Sequence, residues 1–302
     1  MAECVLCPRM CRIDRTRSER GICGACAMAR VARVSLHAFE EPCLSGTRGS
    51  GTIFFSGCSL GCVFCQNREI SRQSIGVEMG RTALVETMLS LQEKGAHNIN
   101  LVTATHFADR VAEALSDVKS RLHIPVVYNS SGYERVETLR MLDGLVDVYL
   151  PDFKYASHKL AARYSSAPDY PAVAEAAIIE MHRQTGAFAL DEDGMAKRGT
   201  LVRVLVLPSH RSDAIAVLQR LSQIVPSREI RVSLMSQYTP EFATDTPYRE
   251  LHRRLTRFEY ESVLAEVERL GLDGYCQQRS AASAVYTPNF LENTEENLSG
   301  KL

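Results

Sequence analysis

Cys58, Cys62 and Cys65 stand in the run Gly57-Cys58-Ser59-Leu60-Gly61-Cys62-Val63-Phe64-Cys65-Gln66-Asn67, directly after the apolar segment Thr52-Ile53-Phe54-Phe55-Ser56. Iron–sulfur clusters take cysteine thiolates as ligands. A four-iron cubane has four positions to fill. Three thiolates on one short loop hold three irons and leave the fourth open to a small molecule. A fully ligated electron-transfer cluster draws its fourth cysteine from close by, as ferredoxin-type runs do. Here no cysteine follows Cys65 until Cys276. Structural zinc sites close with four ligands, commonly as paired Cys-x2–4-Cys hooks, and the Cys-x3-Cys-x2-Cys run fits that pattern poorly.

A second group of cysteines, Cys4, Cys7, Cys11, Cys23 and Cys26, lies near the start. Cys4, Cys7, Cys23 and Cys26 make two Cys-x2-Cys hooks, the spacing of a zinc ribbon. The surrounding segment is poor in periodic apolar residues, so it buries too little surface to offset chain entropy without a cross-link or a metal. Cys43 and Cys276 stand alone and read as small buried hydrophobes. His37, His106, His182 and His210 show no pair at ligand spacing; His106 is set apart only by its place after a strand. Arg9, Arg12, Arg15 and Arg17 read as a solvated loop.

The remaining chemistry has to be positioned by elements. From Thr52 onward, strand-like and helix-like segments alternate. The expected strands are Thr52–Ser56, Asn98–Thr103, Pro125–Asn129, Val146–Leu150, Leu201–Leu207 and Ile230–Met235. They are short, apolar and mostly β-branched, as strands covered on both faces should be. Amphipathic stretches Ala83–Lys94, Ala108–Leu122, Val136–Leu145, Ala172–Gln184, Ala214–Ile224 and Tyr260–Leu270 fall between and after them. Such alternation implies a parallel sheet with right-handed crossovers. The division expected is a cysteine-rich segment 1–50, an alternating α/β unit 51–286, and a polar tail 287–302.

If such a parallel sheet closes into a barrel, its chemistry lies at the C-terminal ends of the strands. The cysteine loop follows the first strand and falls on that face. The later strands also finish in polar residues: Thr103 and Thr105 after the second, Asn129 and Ser131 at the third, Asp152 and Lys154 at the fourth, Arg203 on the fifth and Gln237 after the sixth. Asp152 and Lys154 are two apart, so in an extended chain their side chains share a face. These residues are the expected ligand-binding set.

The Cys-x3-Cys-x2-Cys loop resembles the signature of the radical S-adenosylmethionine (SAM) superfamily. That resemblance implies a partial (β/α)6 TIM-type α/β barrel carrying a cysteine-rich, metal-binding N-terminal extension. It also implies a 4Fe–4S cluster on Cys58, Cys62 and Cys65 whose open iron binds SAM. Reductive cleavage of SAM then yields a 5′-deoxyadenosyl radical that abstracts hydrogen from a substrate. Gly57 before the loop and Gln66-Asn67 after it are similar to the activating enzymes of glycyl-radical enzymes, such as pyruvate formate-lyase activating enzyme. In that group an Asp-x-Lys element, a polar turn ending in glycine and an arginine contact SAM; they match Asp152 and Lys154, Asn129-Ser130-Ser131-Gly132, and Arg203.

The start Cys4-Val5-Leu6-Cys7-Pro8-Arg9-Met10-Cys11, the stretch from Glu40-Glu41-Pro42-Cys43 to Ser50-Gly51-Thr52, and Pro151-Asp152-Phe153-Lys154-Tyr155 resemble the PflX-like branch of those proteins. That branch implies Cys4, Cys7, Cys11 and Cys23 as ligands of a second metal centre, zinc or an auxiliary 4Fe–4S cluster. Two departures stand out: Thr103-Ala104-Thr105 replaces the activases' Gly-Gly-Glu, and their ferredoxin-like insertion is missing. The implied partners are an electron donor such as flavodoxin or ferredoxin and a glycyl-radical enzyme or other protein substrate. Radical modification of a small molecule or peptide is the alternative activity. A non-catalytic iron–sulfur electron-transfer or metal-binding protein is the alternative of another class.

A net charge of −1 with no long run of one sign gives no reason to expect a nucleic acid or an anionic membrane. No stretch is apolar for the roughly 18 residues of a membrane span. The start Met1-Ala2-Glu3-Cys4 lacks the basic, apolar pattern of a signal peptide. Ten cysteines in such a chain read as metal ligands rather than disulfides, and the expected setting is cytoplasmic and anaerobic.

Overall fold

The computed structural model describes residues 3–17, 19–73, 75–277 and 290. In chain order its elements are β1 (Ala29–His37), α1 (Pro42–Ser45), β2 (Ser50–Phe55), α2 (Arg68–Arg72), β3 (Val77–Met79), α3 (Arg81–Glu93), β4 (Ile99–Val102), α4 (Ala108–Val118), β5 (Val126–Ser130), α5 (Val136–Leu139), β6 (Val148–Pro151), α6 (His158–Ser165), α7 (Tyr170–Thr185), β7 (Ala189–Leu190), β8 (Ala196–Leu205), α8 (Arg211–Ile224), β9 (Arg231–Met235), α9 (Arg257–Arg269) and β10 (Gly274–Cys276). The sheet runs β10-β9-β8-β6-β5-β4-β2-β1-β3. From β2 to β10 every neighbouring pair is parallel. β1 and β3 add an antiparallel edge beside β2.

The six expected strands correspond to β2, β4, β5, β6, β8 and β9, so the fold is of the parallel-rich α/β type that the alternation implied and of the barrel kind that the resemblance implied. Their residues divide by parity, as side chains on a strand must. Ile53, Phe55, Ile99, Leu101, Tyr128 and Tyr149 face outward into one apolar cluster that also holds Leu84 and Met88 of α3, Val111 and Leu115 of α4 and Ala177 and Met181 of α7. Val127, Val148, Leu150 and Leu201 face the lumen. Among the described residues no helix is long and apolar enough to cross a membrane.

Two findings were not visible in the pattern. Residues 29–37 form β1, which pairs with β2 along most of its length and so belongs to the barrel sheet rather than to a separate segment. The helix expected over 136–145 is one α-turn followed by a 3-10 turn at Arg140–Leu142, cut short before Gly144, whose φ is +75°. Most of the polar tail 287–302 lies outside the described residues; Phe290, which is described, is buried edge-on against Phe54.

The lumen has a floor. The short helix α1 enters the barrel from below, and Cys43 and Leu44 pack against Val127, Val148, Leu150 and Leu201. Pro42 at the first helical turn supplies a pre-set φ and lacks an N–H that would need a partner. This plug places the preceding Glu40 and Glu41 inside the barrel, above the apolar floor.

Candidate active site

A cavity of about 440 Å³ fills the upper lumen. Its roof is the cysteine loop, with Cys58, Cys62, Cys65, Gln66 and Asn67 in the wall. Its sides are the strand ends Thr103, Asn129, Ser131, Asp152, Lys154, Leu205, Met235 and Gln237, and its base carries Glu40, Glu41, Arg203 and Ser233.

The loop is held from several sides. Gly57 has φ +91°, and a Cβ there would lie 2.3 Å from the Cys23 carbonyl oxygen, so only glycine fits immediately before Cys58. The Gly57 N–H donates to the Ile70 carbonyl at 2.8 Å and the Val63 N–H to the Tyr164 carbonyl at 2.9 Å. Phe64 packs edge-on against Tyr164 and Tyr238. Each sulfur also accepts a hydrogen bond: Cys62 from Ser165 Oγ at 3.0 Å, Cys65 from Ser71 Oγ at 3.6 Å and Cys58 from the Leu60 N–H at 3.4 Å.

Burial pushes the Cys65 thiol up to about 12, with Cys62 and Cys58 beside it adding to the rise. Burial likewise raises Cys62, against the pull of the nearby Lys154 ammonium. Metal binding has to displace those protons, since the ligand is the thiolate. Among the described residues no group of three or more His, Cys, Asp or Glu side chains is already arranged to hold a metal ion. The fit to an iron–sulfur cluster therefore rests on the donor chemistry: three thiols in one cavity wall, each with a hydrogen-bond donor of the kind that tunes cluster sulfurs.

Asp152 and Lys154 do share a face, and they pair at 2.6 Å. Burial alone would lower the Lys154 pKa, but the Asp152 carboxylate and the Cys62 and Cys65 thiols raise it, so the ammonium stays charged. The Gly132 turn, with φ +73°, lies so close to the Asp152 carbonyl that a Cβ would sit 2.1 Å from it, locking the β5 turn to the end of β6. Thr103 has φ 60°, uncommon for a residue with a Cβ, and its N–H donates to the Asn129 carbonyl at 2.8 Å.

Not every expected residue meets the cavity. Thr105 is buried elsewhere and donates to Glu134, whose carboxyl burial pushes up to about 8. The Gln237 side chain lines the cavity, but its carbonyl oxygen already accepts from Gln277 at 2.9 Å. Arg203 is turned to the base, where it grips Glu41 with Nε and Nη2, both at 2.7 Å, and also pairs with Glu40. Glu40 and Glu41 were not among the expected site residues. Their signal was only the charged pair before Pro42, in a stretch read as segment rather than site.

The N-terminal cysteines form a second group. Burial pushes Cys7 up to about 12, and the neighbouring thiols of Cys23, Cys11 and Cys4 add to the rise. Cys26 turns away, its thiol donating to Glu78 at 3.2 Å. Cys4, Cys11 and Cys23 are thus neighbours of Cys7, though among the described residues they do not form a group arranged to hold a metal. The arginines here are not simply solvated. Arg9 donates to the carbonyls of Ser59 at 2.8 Å and Leu60 at 3.4 Å, between Cys58 and Cys62, and to Ser165 at 2.9 Å. Arg15 donates to the His106 carbonyl. His106 itself is fully buried, bonded through Nε2 to the Ser56 carbonyl at 2.7 Å, and burial lowers its pKa to about 4. It holds the end of β2 rather than a ligand. Cys43 is buried in the floor, whereas Cys276 lines the cavity.

Residues 52–183 match the family described as Radical SAM superfamily. An uncharacterized protein of Methanocaldococcus jannaschii is 29% identical over 282 residues, covering 89% of this chain and 75% of its own. Among solved structures, SuiB of Streptococcus suis bound to the precursor peptide SuiA superposes with a TM-score of 0.49 at 13% identity, over 73% of this chain and 46% of that one. This chain thus spans less than half the length of SuiB. Methylornithine synthase (PylB) superposes with a TM-score of 0.46 at 16% identity, over 74% of this chain and 70% of that one.

Proposed function

With a radical SAM domain over residues 52–183 as the premise, we propose that this protein is an enzyme that cleaves SAM reductively and abstracts a hydrogen atom from a substrate held in the barrel. The observation that carries the reading is the set of three thiols in the roof of one cavity, on the loop after the first parallel strand. Cys58, Cys62 and Cys65 would hold a 4Fe–4S cluster, which supplies the electron that breaks the SAM sulfonium and so generates the 5′-deoxyadenosyl radical. The Asp152–Lys154 pair offers SAM an acceptor and a donor side by side. Thr103, Asn129 and Ser131 offer hydroxyl and amide groups to the ribose and ammonium. The loop's burial behind Phe64, Tyr164 and Tyr238 keeps water from the reacting centre.

By resemblance to the glycyl-radical activases and their PflX-like branch, the favoured substrate is a glycine Cα–H of a partner protein, with flavodoxin or ferredoxin as electron donor in the cytoplasm. That is analogy rather than chemistry of the site. The charged base formed by Glu40, Glu41 and Arg203 favours a second reading, radical modification of a small molecule or peptide small enough to reach it. Cys4, Cys7, Cys11 and Cys23 would hold a second metal centre, zinc or 4Fe–4S.

Anaerobic reconstitution with iron and sulfide, followed by assay of 5′-deoxyadenosine under a strong reductant, tests the main proposal. SAM-dependent change in the reduced cluster's EPR spectrum and release of 5′-deoxyadenosine are expected. A reconstituted cluster that neither binds nor cleaves SAM would leave an electron-transfer or metal-binding protein.

A further inference from the structure

Glu134 follows the polar turn after β5, and it is 1% exposed. Its carboxyl sits between two of the strand ends that border the cavity. From the turn after β4, Thr105 Oγ1 donates to Oε1 at 2.5 Å. From the end of β5, the Ser130 hydroxyl lies beside the carboxyl and itself accepts from the Gly132 N–H at 3.2 Å. Thr103, two residues before Thr105, and Ser131, next to Ser130, line the cavity. One buried side chain thus spans the two turns that present them.

The carboxyl has nothing beside it to balance a charge. Oε2 has no hydrogen-bond partner, and neither has the nearby Tyr128 hydroxyl, so the two do not reach each other. The titratable groups that face it are the phenols of Tyr128 on β5, Tyr149 on β6 and Tyr170 on α7, all held above their ordinary range. Its chain neighbours look elsewhere: Tyr133 bonds to Asp169 at 2.8 Å, and Arg135 to the Val5 carbonyl at 2.6 Å and to Glu137 at 3.1 Å. His106, next to Thr105, is neutral and bonded to the Ser56 carbonyl. A carboxylate taken out of water without a cation is costly, and such a group takes a proton instead. The protonated form still accepts from Thr105 through Oε1 and carries its O–H at Oε2. Burial, outweighing the two hydroxyls, pushes this carboxyl up to about 8, in keeping with that state.

We propose that Glu134 is a proton-held clamp: as a neutral acid it ties the turn after β4 to the turn after β5, so positioning Thr103 and Ser131 for SAM, and it lets the turns part when it ionises. Glu134 touches neither ligand nor cluster and is a positioning residue. Its part in SAM binding rests on the radical reading; the clamp itself is read from the turns. The sign of its pH dependence follows from the two states. Closed, the carboxyl titrates near 8; opened to water, near its ordinary 4.5. Between those values the closed form holds a proton that the open form has lost, so rising pH favours opening there and has no further effect above 8. His106 in the same turn acts in the opposite sense, but only below its ordinary 6.5, where opening lets it take up a proton. The window that belongs to Glu134 alone is therefore pH 6.5 to 8.

The test is hydrogen exchange of the reconstituted holoprotein, following the amides of residues 103–107 and 129–134 after correction for intrinsic rates, with SAM affinity measured by calorimetry. Protection of these amides should fall by at least about tenfold from pH 6.5 to pH 8 and level off above it. Glu134→Gln keeps the shape of the protonated acid without its titration. It should remove the fall and hold SAM affinity within about threefold, whereas Glu134→Ala should weaken SAM by at least about tenfold. Protection that does not change with pH in the wild-type protein overturns the proposal without any variant. A fall that persists in Glu134→Gln overturns it by assigning the titration to another group. Wild-type SAM affinity in Glu134→Ala overturns it by leaving the clamp no part in positioning. A clamp that titrates as expected in a protein that binds no SAM would sink the radical reading and leave the clamp standing.

Discussion

The cysteines before Met28 and those after Gly57 are both grouped, yet their surroundings differ in kind. In the first region the thiols of Cys4, Cys11 and Cys23 lie near enough to Cys7 for their charge to be felt there, and none of the four lines the large cavity. In the second, three thiols share the cavity wall, and the place of a fourth is open space bordered by Asp152, Lys154 and the base charges. A closed set suits a structural or relay metal; an open one suits a centre that must meet a small molecule. The two are also not independent. Arg9, set between Cys7 and Cys11, is driven into the carbonyls of Ser59, Leu60 and Ser165, so the closed region braces the open one.

The comparison breaks most sharply if the two sets are separated by mutation. Replacing Cys58, Cys62 and Cys65 together by Ala should abolish 5′-deoxyadenosine formation while the N-terminal centre still binds about one zinc or about four irons per chain, read by metal analysis. Turnover that survives the triple replacement refutes the open-site assignment. A folded protein with no metal at all refutes the closed one.

Arg9→Ala tests the brace. It removes a charged donor from several loop carbonyls, each such bond contributing about 1.5–3 kcal/mol when buried and less where solvent competes. A net loss of about 3 kcal/mol is expected in denaturant unfolding, together with lower iron retention by reconstituted protein at the Cys58–Cys65 loop. An unchanged iron content would mean the two regions merely touch.

Asp152→Ala sharpens the open side. SAM binding should weaken by about 2 kcal/mol, the scale for losing a hydrogen bond to a charged group, with the cluster's absorption spectrum retained. Unchanged SAM affinity by calorimetry would leave Asp152 as no more than a partner for Lys154.

The smallest effect concerns the junction. His106 bonds the end of β2, takes the Arg15 contact from the N-terminal region, and has a pKa lowered by burial to about 4. A base held below its unfolded value of 6.5 contributes stability above that pH and loses it as pH falls toward the folded value. Between pH 8 and pH 5.5 this group alone should cost about 1.4 kcal/mol of unfolding free energy. His106→Gln should flatten that slope, and an equal slope in the variant would assign the loss to other groups.

Much of this was legible in the residues. The parallel strands announced themselves because each is a short apolar run that must be covered on both faces, and that signal is local. The cysteine spacing is local as well, and so is the pairing of Asp152 with Lys154, which follows from the two-residue period of a strand. β1 escaped notice because Arg30, Arg33 and Ser35 interrupt its apolar residues; it is held by ladders to β2 and β3 and not by its own composition. Arg9 read as solvated because nothing nearby in the chain explains it; the carbonyls it serves lie 50 residues and more away.

The residue order was therefore enough to put three grouped thiols on a loop at the C-terminal end of a parallel strand, since both follow from spacings of a few residues. It could not place Glu40 and Glu41 in the lumen, keep Thr105 out of it, or send the Cys26 thiol to Glu78. Those outcomes depend on where the α1 plug enters the barrel and on contacts such as Arg203 with Glu41, 162 residues apart. A lumen is assembled from the inward-facing residues of every strand at once, so its charge balance is a property of the closed fold and is written in no single segment.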